Sequence, residues 1–177
     1  VVRYDTTADF ADSSSWSCFA AGSTSGLACR GYDGAAFDGR YIYFIPFWTG
    51  DSGGGGFHGH LLRFDTLLPF ADPSAWTAAD GAALAPPNPG GFNGGAFDGR
   101  YLYMAPWRQD EASGNIHAHG QVLRYDTAAS GARFQLRWMD CGHNGGLGGS
   151  LPGPAFIVNT SAGSVCVQGH MIPEAGR

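Results

Sequence analysis

The chain of 177 residues predicts an all-β fold, and three observations carry that expectation. Glycine (29) and proline (10) are frequent, and only 14% of residues are charged, against a usual quarter, which suits many tight turns and little exposed helix. Long runs of Ala, Leu, Glu and Lys, the strong helix formers, are missing. One sentence of about sixty residues is also written nearly three times. VRYDT (2–6), LRFDT (62–66) and LRYDT (123–127) recur at offsets of 60 and 61. DFADSSSW (9–16) matches PFADPSAW (69–76), with a looser third copy, RFQLRW, ending at Trp138. YDGAAFDGRYIYFIPF (32–47) matches FNGGAFDGRYLYMAPW (92–107), and PGPAFIVNTSAGSVCVQ (152–168) is its degenerate third partner. The chain is therefore expected to be one repeat domain (1–177) with units near 1–60, 61–121 and 122–177.

Each unit predicts four short strands. The first is GAAF or GGAF. Asp38-Gly39 or Asp98-Gly99 then forms a two-residue hairpin turn, because both central positions of that turn take positive φ most cheaply with these residues. The second strand is RYIYFIP or RYLYMAP, ended by Pro46 or Pro106. A long Gly-rich loop leads to the third strand, HLLRFDT or QVLRYDT, whose Asp-Thr starts a turn through side-chain bonds to the backbone. The fourth strand is expected to end in Trp16, Trp76 or Trp138.

The second strand decides the architecture. Tyr41, Tyr43 and Ile45 point one way and Ile42 and Phe44 the other, so both faces are apolar. A sheet apolar on both faces must be stacked between neighbours, and radial stacking of four-stranded sheets is the β-propeller arrangement. The aromatic strand, LRYDT and the following Trp together resemble kelch-like propeller repeats, in a divergent, bacterial-style form. True kelch repeats carry their Gly pair after the apolar strand, whereas Gly94 and Gly95 precede Ala96 and Phe97. The chain opens on a third and fourth strand and closes on a first and second, so its ends are expected to complete a last blade together. Three blades per chain fall short of the usual four to eight, which suggests two chains in one six-bladed ring, or a piece of a longer propeller. A single-chain threefold fold, β-trefoil or β-prism, is the alternative that three repeats favour and the long loops disfavour.

Composition narrows the function. The net charge is −5, and all ten basic residues are Arg, so there is no basic face for nucleic acid. No run of eighteen apolar residues suggests a transmembrane helix. The four cysteines, Cys18, Cys29, Cys141 and Cys166, lack Cys-x-x-Cys spacing, and two disulfides (18–29 and 141–166) in an extracellular or secreted protein are expected. Asn159-Thr160-Ser161 matches a glycosylation acceptor, meaningful only in a eukaryotic secretory pathway.

The candidate site lies in the loops. Loops 47–59, 107–120 and 169–177 share a propeller face with 20–31, 78–91 and 142–152. His58, His60, His117, His119, His143 and His170 all fall there or at their margins. HGH and HAH place two imidazoles on one side of an extended segment, a spacing that suits zinc, with Asp51, Asp110 and Glu111 as oxygen ligands for zinc or calcium. Alignment on LR-DT pairs His58 with His119 and leaves one His per unit repeated. A residue repeated in that way more often bonds a loop carbonyl. A second constellation is aromatic: Trp48 and Trp107 open the loops beside Asp51, Arg108, Asp110, Asn115, His58 and His119. Rings that stack and polar groups that bond hydroxyls are what sugar-binding clefts present. The alternative is that both tryptophans wedge neighbouring sheets together. Arg63 and Asp65, like Arg124 and Asp126, lie on one face of a strand and are expected to make cross-strand ion pairs or turn caps, and no catalytic residue is singled out. The functional expectation is a secreted, non-enzymatic, lectin-like or adhesion protein that self-associates and binds a glycan. A metal-dependent hydrolase or lyase using His119, His58 and Asp110, and a purely structural assembly, are the alternatives.

Overall fold

The computed structural model describes residues 1–50, 56–81, 90–110, 116–129, 134–138, 155–160 and 163–168. These form fourteen strands: β1 (Val2–Tyr4), β2 (Trp16–Cys18), β3 (Tyr32–Phe37), β4 (Tyr41–Pro46), β5 (His60–Asp65), β6 (Trp76–Asp80), β7 (Phe92–Phe97), β8 (Tyr101–Pro106), β9 (Arg108–Asp110), β10 (Ile116–Ala118), β11 (Gln121–Asp126), β12 (Phe134–Trp138), β13 (Ala155–Thr160) and β14 (Gly163–Gln168). The only helical turns among the described residues are three 3-10 turns of three residues each. The all-β expectation holds. β3-β4-β5-β6 and β7-β8-β11-β12 are two four-stranded antiparallel meanders, while β1-β2, β9-β10 and β13-β14 are two-stranded. Among the described residues no sheet closes on itself, and β1-β2 and β13-β14 do not join into the shared sheet expected of the chain ends.

The register corrects one expectation. β6 begins at Trp76, paired with Phe64, and β2 begins at Trp16, paired with Tyr4. In the third copy Phe134 pairs with Tyr125, so Phe134 occupies that position. Trp138 lies at the other end of β12, opposite Gln121. The tryptophans therefore open the fourth strand instead of closing it, and Trp138 is not their counterpart.

The repeated words are held by one polar latch in two copies. Asp38 accepts hydrogen bonds from the Arg40 and Tyr41 amides (2.8 and 2.6 Å) and from the Tyr43 hydroxyl (2.7 Å). The Arg40 guanidinium then grips Asp65, with Nη2 to Oδ2 at 2.6 Å, and Thr66 donates its hydroxyl to the Arg40 carbonyl at 2.6 Å. Asp98, Arg100, Asp126 and Thr127 repeat the arrangement, with Arg100 and Asp126 at 3.0 Å. Asp65 thus makes the expected cross-strand ion pair, with Arg40, and also caps the turn by accepting from the Leu67 amide at 3.1 Å. Arg63 faces its direct cross-strand neighbour Thr77, donating to the hydroxyl at 3.1 Å, and lies 4.3 Å over the Tyr41 ring.

The first meander is buried on both faces, as its second strand predicts. Tyr43, Ile45 and Leu61 pack against Phe92, Leu102, Met104, Leu123 and Tyr125 of the second meander. Leu62, Phe64 and Trp76 pack with Phe70, Ala75, Ala21 and Cys29, and Ile42 and Phe44 join that side. The small residues of the first strands let the two meanders approach. A Cβ on Gly95 would lie 2.7 Å from the Tyr103 carbonyl and 2.8 Å from Ile45 Cδ1. The first cysteine pair is not bridged: Cys18 is an exposed thiol and Cys29 a buried one. Cys18 sits in the β1-β2 ladder opposite Val2, whereas Cys29 is inside the core with its Sγ 3.6 Å from the Thr24 carbonyl, and burial pushes its pKa up. The second pairing lies outside the described residues at Cys141.

Candidate functional site

The loop edge is organised around two glycine carbonyls, a feature the sequence reading missed. The Gly31 carbonyl accepts from the Phe47 and Trp48 amides (3.0 and 3.1 Å) and from His58 Nε2 (3.1 Å). The Gly91 carbonyl accepts from the Trp107 and Arg108 amides (3.1 and 3.2 Å) and from His119 Nε2 (3.4 Å). Each His also accepts a backbone amide at Nδ1, from His60 and from Gln121, both at 3.3 Å. An amide donating to Nδ1 requires a lone pair there, so Nε2 carries the proton and donates to the glycine carbonyl. Both rings are therefore neutral clamps with both nitrogens in use. Both glycines adopt φ +71, and a Cβ on Gly31 would overlap the Trp48 carbonyl, as one on Gly91 would overlap the Arg108 carbonyl. The signal available in the sequence was the shared spacing: Gly31 to His58 and Gly91 to His119 are 27 and 28 positions apart.

Burial reinforces the neutral state. His58 is buried and its pKa is lowered from the ordinary histidine value chiefly by desolvation, against which the Gly31 carbonyl works. The edge of Tyr32 meets His58 at 5.6 Å, and Phe92 meets His119 at 5.6 Å in the same geometry. His58 and His119 thus take the carbonyl-bonding role expected of a repeated residue, and the structure leaves them no lone pair for zinc. His60 lies beside His58, with ring centroids 5.1 Å apart, and its Nδ1 is 3.0 Å from the Ala28 carbonyl. In β10, His117 pairs with Gln109, and Asp110 in β9 pairs with Ile116. Asp51, Glu111, Asn115, His143 and His170 lie outside the described residues. Among the described residues no three His, Cys, Asp or Glu side chains gather around a common point.

The two tryptophans part company. Trp107 stacks on Phe47 of the preceding unit (centroids 5.0 Å, planes 27° apart), and Phe57 meets Phe47 edge-on at 5.4 Å. Trp107 is accordingly a wedge between units, with the Arg108 guanidinium 4.8 Å over its ring. Trp48 forms a backbone bridge with Phe57 and presents its side chain outward, 44% exposed. Around the two glycine carbonyls these residues have separate roles: His58, His119 and Trp107 hold the edge, and Trp48 is an exposed ring on it.

No family model matches the chain, and no curated protein or solved structure is significantly similar to it. The resemblance to kelch-like repeats rests on the motifs alone.

Proposed function

We propose that the chain is a non-enzymatic binding module of the propeller type, recognising an extracellular carbohydrate or a similarly polar ligand on its loop edge. The observation that carries this reading is Trp48: a large ring, 44% exposed, on a backbone clamped by the Gly31 hub, with Trp107 and Arg108 on the matching edge of the next unit. An exposed aromatic plane on a fixed backbone suits a sugar, whose ring stacks and whose hydroxyls take hydrogen bonds from polar groups of the same edge. The histidines do not favour metal-assisted catalysis, since both nitrogens of His58 and of His119 are engaged. A glycan array followed by fluorescence titration tests the reading. Trp48→Ala is expected to weaken the best glycan about tenfold with an unchanged fold. No glycan bound by the native protein, or equal affinity in the variant, would overturn it.

The blade arrangement belongs to the same proposal. It is supported by the doubly buried first meander and by the open apolar side of β1-β2, where Val2 is 60%, Phe10 68% and Trp16 38% exposed. In this reading a second copy covers that side, giving a ring of six sheets from two chains. A molar mass of one chain by light scattering would count against the ring.

A further inference from the structure

A cleft of about 340 Å³ opens between the two meanders, lined by Ser25, Arg63, Thr77, Tyr125 and Ala129 among others. It shares no residue with the Trp48 edge. The repeat explains why it is open. Arg3 is the counterpart of Arg63, and Ser17 that of Thr77. Arg3 reaches Ser17 Oγ at 3.4 Å and lies 4.7 Å over Phe70, which is only 5% exposed. Phe70 thus fills the space before Arg3. The third unit offers no aromatic residue for that role in its sequence. Trp76 follows Asp65 by eleven positions, whereas its counterpart Phe134 follows Asp126 by eight, and 130–133 reads Ser-Gly-Ala-Arg with no aromatic residue. A three-residue deletion thus takes away the counterpart of Phe70, and the cleft lies before Arg63.

What remains there is a guanidinium already held in place. Arg63 Nε donates to Thr77 Oγ1 at 3.1 Å, and its plane is supported by Tyr41 at 4.3 Å. Among the described residues its two terminal nitrogens have no hydrogen-bond partner. Two parallel N–H groups match the two oxygens of a carboxylate. The Thr77 and Ser25 hydroxyls and the Tyr125 ring supply hydroxyl partners and a flat wall. The volume falls in the range of small-molecule sites. We propose that this cleft binds a small hydroxylated carboxylate of the size of one acidic sugar, with Arg63 gripping the carboxylate.

The test is NMR or calorimetric titration of the native chain with D-glucuronate, D-glucose and inorganic phosphate. Saturable binding of glucuronate, with glucose at least tenfold weaker, is expected. Arg63→Ala should weaken glucuronate about tenfold to a hundredfold, the range for hydrogen bonds to a charged group. Ala129→Phe, which returns an aromatic ring to the cleft, should abolish binding while melting like the native protein, and it serves if Arg63→Ala does not fold. Glucose bound as tightly as glucuronate, phosphate bound more tightly, no saturable binding, or binding indifferent to both variants would each overturn the assignment.

Discussion

Two copies of one motif sit in this molecule in opposite surroundings. In DFADSSSW, Trp16 Nε1 donates to the Phe10 carbonyl at 3.0 Å, and Asp12 caps the 3-10 turn at Ser14 at 2.8 Å. In PFADPSAW, Trp76 donates to Phe70 at 3.0 Å, and Asp72 caps Ser74 at 2.8 Å. The local structure is the same to the hydrogen bond. The burial is not: Trp16 and Phe10 are 38% and 68% exposed, Trp76 and Phe70 only 4% and 5%. The covering groups differ: Phe19 stacks on Trp76 at 4.8 Å with its plane 6° away, Phe44 lies 6.0 Å from it, and Arg3 covers Phe70 at 4.7 Å. Side-chain caps and turns give each unit its shape, and only an adjacent segment gives it a core.

The largest expected effect breaks that comparison directly. Trp76→Ala removes a buried ring from the cluster of Phe64, Phe70 and Phe19, and should cost about 3–5 kcal/mol in urea denaturation. Trp16→Ala should cost roughly 1–2 kcal/mol, since much of its surface is already wet. Equal losses would mean that the β1-β2 face is covered in solution, as the two-chain ring requires. Concentration-dependent denaturation of the native protein would then follow, because assembly and stability become linked.

The two turn glycines that contrast most come next. Gly31 needs positive φ and also faces the Trp48 carbonyl where a Cβ would stand, whereas Gly39, at φ +101, has open space there. Gly31→Ala should cost more than about 3 kcal/mol, from strain and overlap together. Gly39→Ala should cost about 1–3 kcal/mol, from strain alone. Equal melting-temperature losses for both would show that the hub is not the stiff point of the loop edge.

Much of this is legible in the sequence. Asp-Thr caps and the alternation of Tyr43 and Phe44 follow from local chemistry and are found in the structure. The Asp-Gly turns are there in another form: of each pair only the glycine, Gly39 or Gly99, takes positive φ, four residues separate the partners of the last pairs, Phe37–Ile42 and Phe97–Leu102, and each Asp carboxylate caps the turn instead. What the sequence hid depends on register between distant strands. A cross-strand partner and a turn cap are expected of Asp65, and it has both, but only the ladder shows that the partner is Arg40 while Arg63 sits beside Thr77. Cys18 and Cys29 looked like a short loop waiting for a bridge, yet one faces solvent and the other faces the core. Trp138 matched by residue type, and only the pairing of Tyr125 with Phe134 shows that the type moved. At the site, Phe47, Trp107, His58 and His119 meet around the Gly31 and Gly91 carbonyls. The division of that edge into clamp and platform was not visible, because it hangs on those carbonyls.

The smallest expected effect is a pH dependence that separates the histidine clamp from the carboxylate latches. Burial holds His58 below its ordinary value of 6.5, so the unfolded chain takes up this proton first as the pH falls. The neutral clamp therefore contributes stability that is full above pH 6.5 and is lost as the pH falls toward the folded-state value. The Arg40 guanidinium holds Asp65 below 3.8, so that contribution is full above 3.8 and fades only in stronger acid. Urea midpoints should decline in two separate windows, the upper one beginning below pH 6.5. His58→Gln, which keeps a donor and an acceptor but does not titrate, should flatten the upper window and leave the lower one unchanged. A native midpoint that stays level between pH 7 and 5, or a variant with the native slope, would mean that His58 is not the buried neutral clamp its bonds describe.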